Sequence, residues 1–96
     1  MGACTFFTVF GGRDAGNAFT EARREAQYER GHGGYTGTIA EKHDFVMISC
    51  PEDLSPATYA NRLINDDDPR VEDKWGPAGC IQVEPGRWLF FGWASS

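Results

Sequence analysis

The pattern of apolar and polar positions divides the chain into runs of two periods. Thr5-Phe6-Phe7-Thr8-Val9-Phe10 is β-branched and aromatic throughout and stops at Gly11-Gly12, which predicts a strand. From Ala15 the period changes. Ala15, Ala18, Phe19, Ala22 and Ala26 fall on one helical face, and Arg23, Arg24 and Gln27 lie opposite. Asp14 suits the N-cap of this helix. Arg30 followed by Gly31 suits its C-terminus, a cation against the dipole and then a residue free to take positive φ. The apolar face is mostly alanine around Phe19, so the helix can approach a sheet closely and bury that ring.

Two apolar runs follow, Tyr35-Thr36-Gly37-Thr38-Ile39 and Phe45-Val46-Met47-Ile48, around the polar Ala40-Glu41-Lys42-His43-Asp44. This reads as a hairpin. Ser55-Pro56 is a helix start, with a hydroxyl at the N-cap and proline at the first helical position. Tyr59, Ala60, Leu63 and Ile64 give that helix an apolar stripe, and Pro69 forbids its continuation. The connection from Asp66 to Gly79 is long for an unstructured loop, and Trp75 is expected to pin part of it. Cys80-Ile81-Gln82-Val83 and Trp88-Leu89-Phe90-Phe91-Gly92-Trp93 then form a last pair of strands. Between them Pro85-Gly86 suits a type II turn, and a slightly longer loop is expected there because two-residue hairpins favour the primed turns.

The expected order is β-α-β-β-α-β-β in one α+β domain spanning residues 1–96. Two helices on one face of an antiparallel or mixed sheet is the economical packing, with the ferredoxin-like split β-α-β as its nearest standard form. In the last strand Trp88 and Phe90 alternate with Leu89, Phe91 and Trp93, so both faces are apolar. With helices on one face only, the other face needs a cover. That argument, together with a strand at a sheet edge, predicts a homodimer with Trp88 or Trp93 in the contact.

Composition narrows the function classes. The chain has 96 residues, 41% hydrophobic and 14% aromatic, and a net charge of -5. The acidic balance argues against direct nucleic-acid binding, which needs a basic surface to displace counterions. No apolar run approaches the roughly 20 residues that span a bilayer, and Met1-Gly2-Ala3-Cys4 lacks the basic-then-apolar order of a signal peptide. A cytoplasmic protein without membrane contact is expected. Cys4, Cys50 and Cys80 are odd in number and widely spaced, which predicts free thiols rather than bridges.

Candidate chemistry is sparse. Gly31-His32-Gly33-Gly34-Tyr35-Thr36-Gly37 is rich enough in glycine to let backbone N–H groups approach a ligand. The phosphate-binding loops place their glycines between a strand and a helix, and here they follow a helix. Both readings stay open: a helix cap with a tight reversal, or a small-ligand or nucleotide site lined by His32, Gly33, Gly34 and Tyr35. The histidines and cysteines lack the close pairing of zinc sites, so no metal and no cofactor is expected. Cys50 has no activating base in its surroundings, and no catalytic residue is assigned. Asp66-Asp67-Asp68 puts three carboxylates at a helix C-terminus against the dipole. They are either a solvated helix end or a docking surface for a partner with a basic surface. Trp75, Trp88 and Trp93 join them as candidate contact residues.

The segment Gly31-His32-Gly33-Gly34-Tyr35-Thr36-Gly37-Thr38-Ile39-Ala40-Glu41-Lys42, and more loosely Asp73-Lys74-Trp75-Gly76-Pro77, resembles segments of small uncharacterised proteins of bacteriophages and some bacteria. The likeness covers about a quarter of the chain and carries no activity, cofactor or site residue. It implies an accessory protein of phage type that would act by binding a host factor or a host defence molecule. Together these readings make a non-enzymatic protein-binding module the leading expectation, with a sequestering small-ligand or nucleotide binder at residues 31–37 as the alternative.

Overall fold

A computed structural model describes residues 2–31 and 34–96. Its elements are β1 (Ala3–Gly11), α1 (Ala15–Arg30), a 3-10 turn (Ile39–Glu41), β2 (Phe45–Met47), α2 (Pro56–Asn65), β3 (Ala78–Glu84) and β4 (Arg87–Ser95). The α+β class holds, with two helices and one mixed four-stranded sheet.

Both helices start and stop where their cap residues dictate. Asp14 accepts from the Asn17 N–H at 2.7 Å, and the Gly31 N–H returns to the Gln27 carbonyl. At α2, Ser55 Oγ accepts from the Thr58 N–H at 3.2 Å, with Pro56 directly behind it. Each cap satisfies a backbone group that the helix itself leaves unpaired.

The sheet order is β1-β4-β3-β2. β4 is antiparallel to both β1 and β3, while β3 is parallel to β2. It follows that β1, β2 and β3 all run the same way. The chain crosses from β1 at one edge to β2 at the other through α1, then steps back to β3 through α2. Two crossovers of the same hand that travel in opposite directions put their helices on opposite faces.

The two cores confirm that placement. Ala18, Phe19 and Ala22 of α1 pack with Phe6, Cys80, Trp88 and Phe90 on one face. Ala60, Leu63 and Ile64 of α2 pack with Ile48, Ile81, Leu89 and Phe91 on the other. The expectation of both helices on one face is therefore corrected to a three-layer stack with a helix on each side. The ferredoxin-like form does not apply, because its helices share one face and its β-α-β strands are split by a third, whereas β2 and β3 are direct parallel neighbours and the helices lie on opposite faces.

Three further corrections have local causes. Tyr35–Ile39 is not a strand, so the expected first hairpin is a loop ending in the 3-10 turn. β4 is interior rather than an edge, and its second apolar face meets α2, so the chain itself covers the face that was expected to need a second copy. The β3–β4 connection is a two-residue turn, Pro85-Gly86, with Gly86 at φ 82. A register shift between Gln82 and Glu84 absorbs the twist mismatch that a longer loop was expected to relieve.

Among the described residues, no helix is long and apolar enough to cross a membrane. Cys4, Cys50 and Cys80 are free thiols, and burial pushes Cys80 up to about 12.

Candidate functional site

Two loops at one end of the sheet meet over a pair of adjacent residues, Glu41 and Lys42. The first loop runs from Gly34 to Thr38. Gly34 and Gly37 take positive φ there, and so does Tyr35, at φ 58. The left-handed region costs a non-glycine residue about 1–2 kcal/mol, so neighbouring contacts must hold it. Glu41 supplies them. Its Oε2 accepts from the Thr36 N–H at 3.1 Å and from the Thr36 hydroxyl at 2.7 Å. The Thr36 and Thr38 hydroxyls lie 2.8 Å apart, and Thr38 Oγ1 accepts from the Ala40 N–H. Burial alone raises the Glu41 carboxyl. The hydrogen bonds from Thr36 and from the Thr36 and Tyr35 backbone, with the nearby charge of His43, outweigh it and hold the pKa below its ordinary value.

Lys42 holds the second loop. Its side chain is fully buried. Nζ donates to the Gly76 carbonyl at 2.9 Å, to Asp73 at 3.3 Å and to Lys74 at 3.4 Å. An ammonium has three donors and no acceptor, so three converging carbonyls satisfy it fully. Burial pushes its pKa down to about 8, against the attraction of the Asp73 carboxylate. The loop also braces itself, with Asp73 Oδ1 accepting from the Trp75 N–H at 2.8 Å.

These clamps present two rings to solvent. Tyr35 and Trp75 are 57% and 64% exposed. They meet edge to face, with centroids 6.3 Å apart at 87°. Lys74 Nζ sits 5.3 Å from the Trp75 ring centroid and also donates to the Gly2 carbonyl at 3.1 Å. Large rings that are ordered yet exposed lose little entropy when a partner covers them.

Beside the first loop lies a cavity of about 210 Å³ bounded by Arg23, Gln27, Gly31, Gly34, Glu41 and His43. Arg23 Nη2 donates to the Ala40 carbonyl at 3.4 Å, while its Nε is buried with no partner among the described residues.

The residues singled out in the sequence separate into groups. Gly34, Tyr35 and Trp75 come together here. His32 and Gly33 lie outside the described residues. Asp66 and Asp67 are exposed at the end of α2, whereas Asp68 is held by Arg70, whose Nε and Nη2 reach its two oxygens at 2.9 and 3.0 Å. That pairing keeps Asp68 below the usual carboxylate range and occupies one third of the acidic run. Trp88 is 7% exposed inside the α1 core and presents no surface to a partner. Trp93 is half-buried at the margin of the α2 core. Trp75 does not pin its own loop, as was expected of it; Lys42 does. Neither Glu41 nor Lys42 was singled out, because a polar pair between two apolar runs reads as the tip of a hairpin.

Comparison of the chain with protein-family models, with curated proteins and with solved structures finds no match.

Proposed function

We propose that this chain is a non-enzymatic module that binds another protein, and that the Tyr35–Trp75 pair is its principal contact. The observation behind this reading is the exposure of two large rings on loops that Glu41 and Lys42 clamp from within. Binding hot spots are enriched in tryptophan and tyrosine, and they favour rings that are ordered before the partner arrives. Asp66 and Asp67, exposed at the end of α2, offer acidic groups to a partner with a basic surface. An accessory role of phage type, directed at a bacterial protein, is part of the same proposal.

The test is capture from a bacterial lysate with the wild-type chain, Tyr35→Ala and Trp75→Ala as parallel baits. Truncating a hot-spot ring costs about 2 kcal/mol or more, which weakens binding about 30-fold. The expected result is a protein retained by wild type and lost from Trp75→Ala, whose circular dichroism matches wild type. A protein retained equally by all three baits places the contact elsewhere.

A second reading rests on the cavity beside Arg23. A buried guanidinium nitrogen with no partner among the described residues, with His43 nearby, suits a small ligand carrying a carboxylate or phosphate. Thermal stabilisation of wild type by inorganic phosphate or short carboxylic acids, absent in Arg23→Gln, supports it. No shift with either class of acid removes it.

A further inference from the structure

β1 is an edge strand whose second edge pairs with no described strand. It is nine residues long. Edge strands are normally protected by charge, proline, bulges or shortness. Ala3–Gly11 has no charged residue and no proline, and its register with β4 is unbroken.

The direction of its free backbone groups follows from the ladder. Gly2 and Ser96 exchange N–H···O bonds both ways, at 3.0 and 3.1 Å, and the Gly12 N–H donates to the Gly86 carbonyl at 3.1 Å. Antiparallel ladders alternate, so the even-numbered residues of β1 are the ones bonded to β4. Ala3, Thr5, Phe7, Val9 and Gly11 then point their N–H and C=O groups away from the sheet. The same residues put their side chains on the α2 side, where α2 covers β3 and β4 but not β1. Phe7 and Val9 are 42% and 43% exposed there, with Phe7 stacked on Phe91 at 6.4 Å and 5°.

We propose that this edge pairs with the β1 edge of a second copy, antiparallel across a two-fold axis at Phe7, to make one continuous sheet. The strand fits itself in that register. Phe7 meets Phe7, Thr5 meets Val9 and Ala3 meets Gly11, so every outward N–H faces an outward carbonyl. On the α1 side the pairing sets Phe6 against Thr8 and Phe10 against Cys4, a large side chain opposite a small one each time. Two chains of net charge -5 repel in general, and an uncharged strand is where they can meet with no like charges set directly opposite. The contact is about 30 Å long and about 10 Å thick, roughly 300 Å² a side, well below the roughly 800 Å² per partner of a standard stable interface. The dimer is therefore weak and forms with concentration. It is separate from the Tyr35–Trp75 contact, and neither proposal depends on the other.

Sedimentation equilibrium and amide exchange, from ~20 μM to ~1 mM to bracket a weak interface, test it together. The expected mass rises from monomer towards dimer. Over the same range the amides of Thr5, Phe7 and Val9 gain several-fold protection, while Phe6 and Thr8, already bonded to β4, do not change. Thr5→Pro deletes an outward donor without touching the β4 ladder and abolishes the rise in mass. Val9→Lys abolishes it with every backbone group in place, so it decides the matter should Thr5→Pro unfold. A monomer mass at the highest concentration overturns the proposal. So does a dimer without new protection at the odd-numbered amides, or one indifferent to Val9→Lys.

Discussion

At the scale of single residues, the packing of β3 against β4 leaves no room for one extra carbon at Gly79. A Cβ built there would lie 2.6 Å from Phe91 Cζ and 2.8 Å from Val71 Cγ1. Phe91 is fully buried and Val71 nearly so, and neither can swing into solvent to make way. Overpacking of this kind costs about 1–3 kcal/mol. Gly79→Ala is expected to lose that much in urea unfolding, with an unchanged m-value. A loss under about 0.5 kcal/mol, the usual range for surface changes, means that the Phe91 ring relaxes freely. Phe19 is the complementary case. Its ring lies 5.0 Å from Phe45 and 5.6 Å from Phe90, between Ala18 and Ala22. The alanine-lined helical face with one phenylalanine foretold that close approach. Gly79 carried no such signal, because its neighbours come from elsewhere in the chain.

At the scale of elements, the link between the 3-10 turn and the 73–76 loop passes through one ammonium group, and its titration has a definite sign. Lys42 falls from the ordinary 10.5 to about 8 in the folded chain. Between those values the unfolded chain holds a proton that the native chain has released, so this group makes stability rise with pH from about 8 to about 10.5. The full effect is at most about 3 kcal/mol at 1.36 kcal/mol per unit. Cys80 acts the other way. Its thiol, raised to about 12 from 9.0, contributes stability that is lost as pH climbs through that interval. Comparing wild type with Lys42→Met cancels the cysteine. The difference in unfolding free energy is expected to shift towards wild type between pH 7.5 and 10.5. A difference that stays constant with pH means that Lys42 keeps its proton in the cage.

The same elements show what the sequence could and could not convey. Capped helices and the β1 and β4 runs are local signals, written in neighbouring residues, and they lie where expected. Tyr35–Ile39 had a strand composition, but Thr36 and Thr38 spend their hydroxyls on each other, on Glu41 and on the Ala40 N–H, which stabilises a loop in place of a ladder. Half of the candidate site was legible: Tyr35 and Trp75 as unusual residues, though not their meeting. The clamps were not legible, because Lys42 is satisfied by carbonyls 31 to 34 positions away. The two apolar faces of β4 were read correctly as needing two covers. The second cover was assigned to another molecule because the direction of the α2 crossover depends on sheet order, which periodicity does not encode.

For the molecule as a whole, the placement of β4 governs the order in which the fold can assemble. β4 is last of the strands along the chain and lies between β1 and β3 in the sheet. Until it is made, β1 has both edges bare. At translation rates of about 5–20 residues per second, β1 waits on the order of ten seconds for its partner. During that time an uncharged, aromatic strand is open to any other strand, a neighbouring nascent chain included. α2 and the β2–β3 pair can form meanwhile, but the α1 core lacks Trp88, Phe90 and Ala94. A chain cut before Arg87 is therefore expected to aggregate rather than to fold partially, with particle growth in light scattering and no cooperative thermal transition. A truncated chain that remains monomeric and melts cooperatively would show that β1 finds another place. The central position of the last strand makes folding a single late event, and it makes the cell's handling of unfinished chains part of this protein's stability.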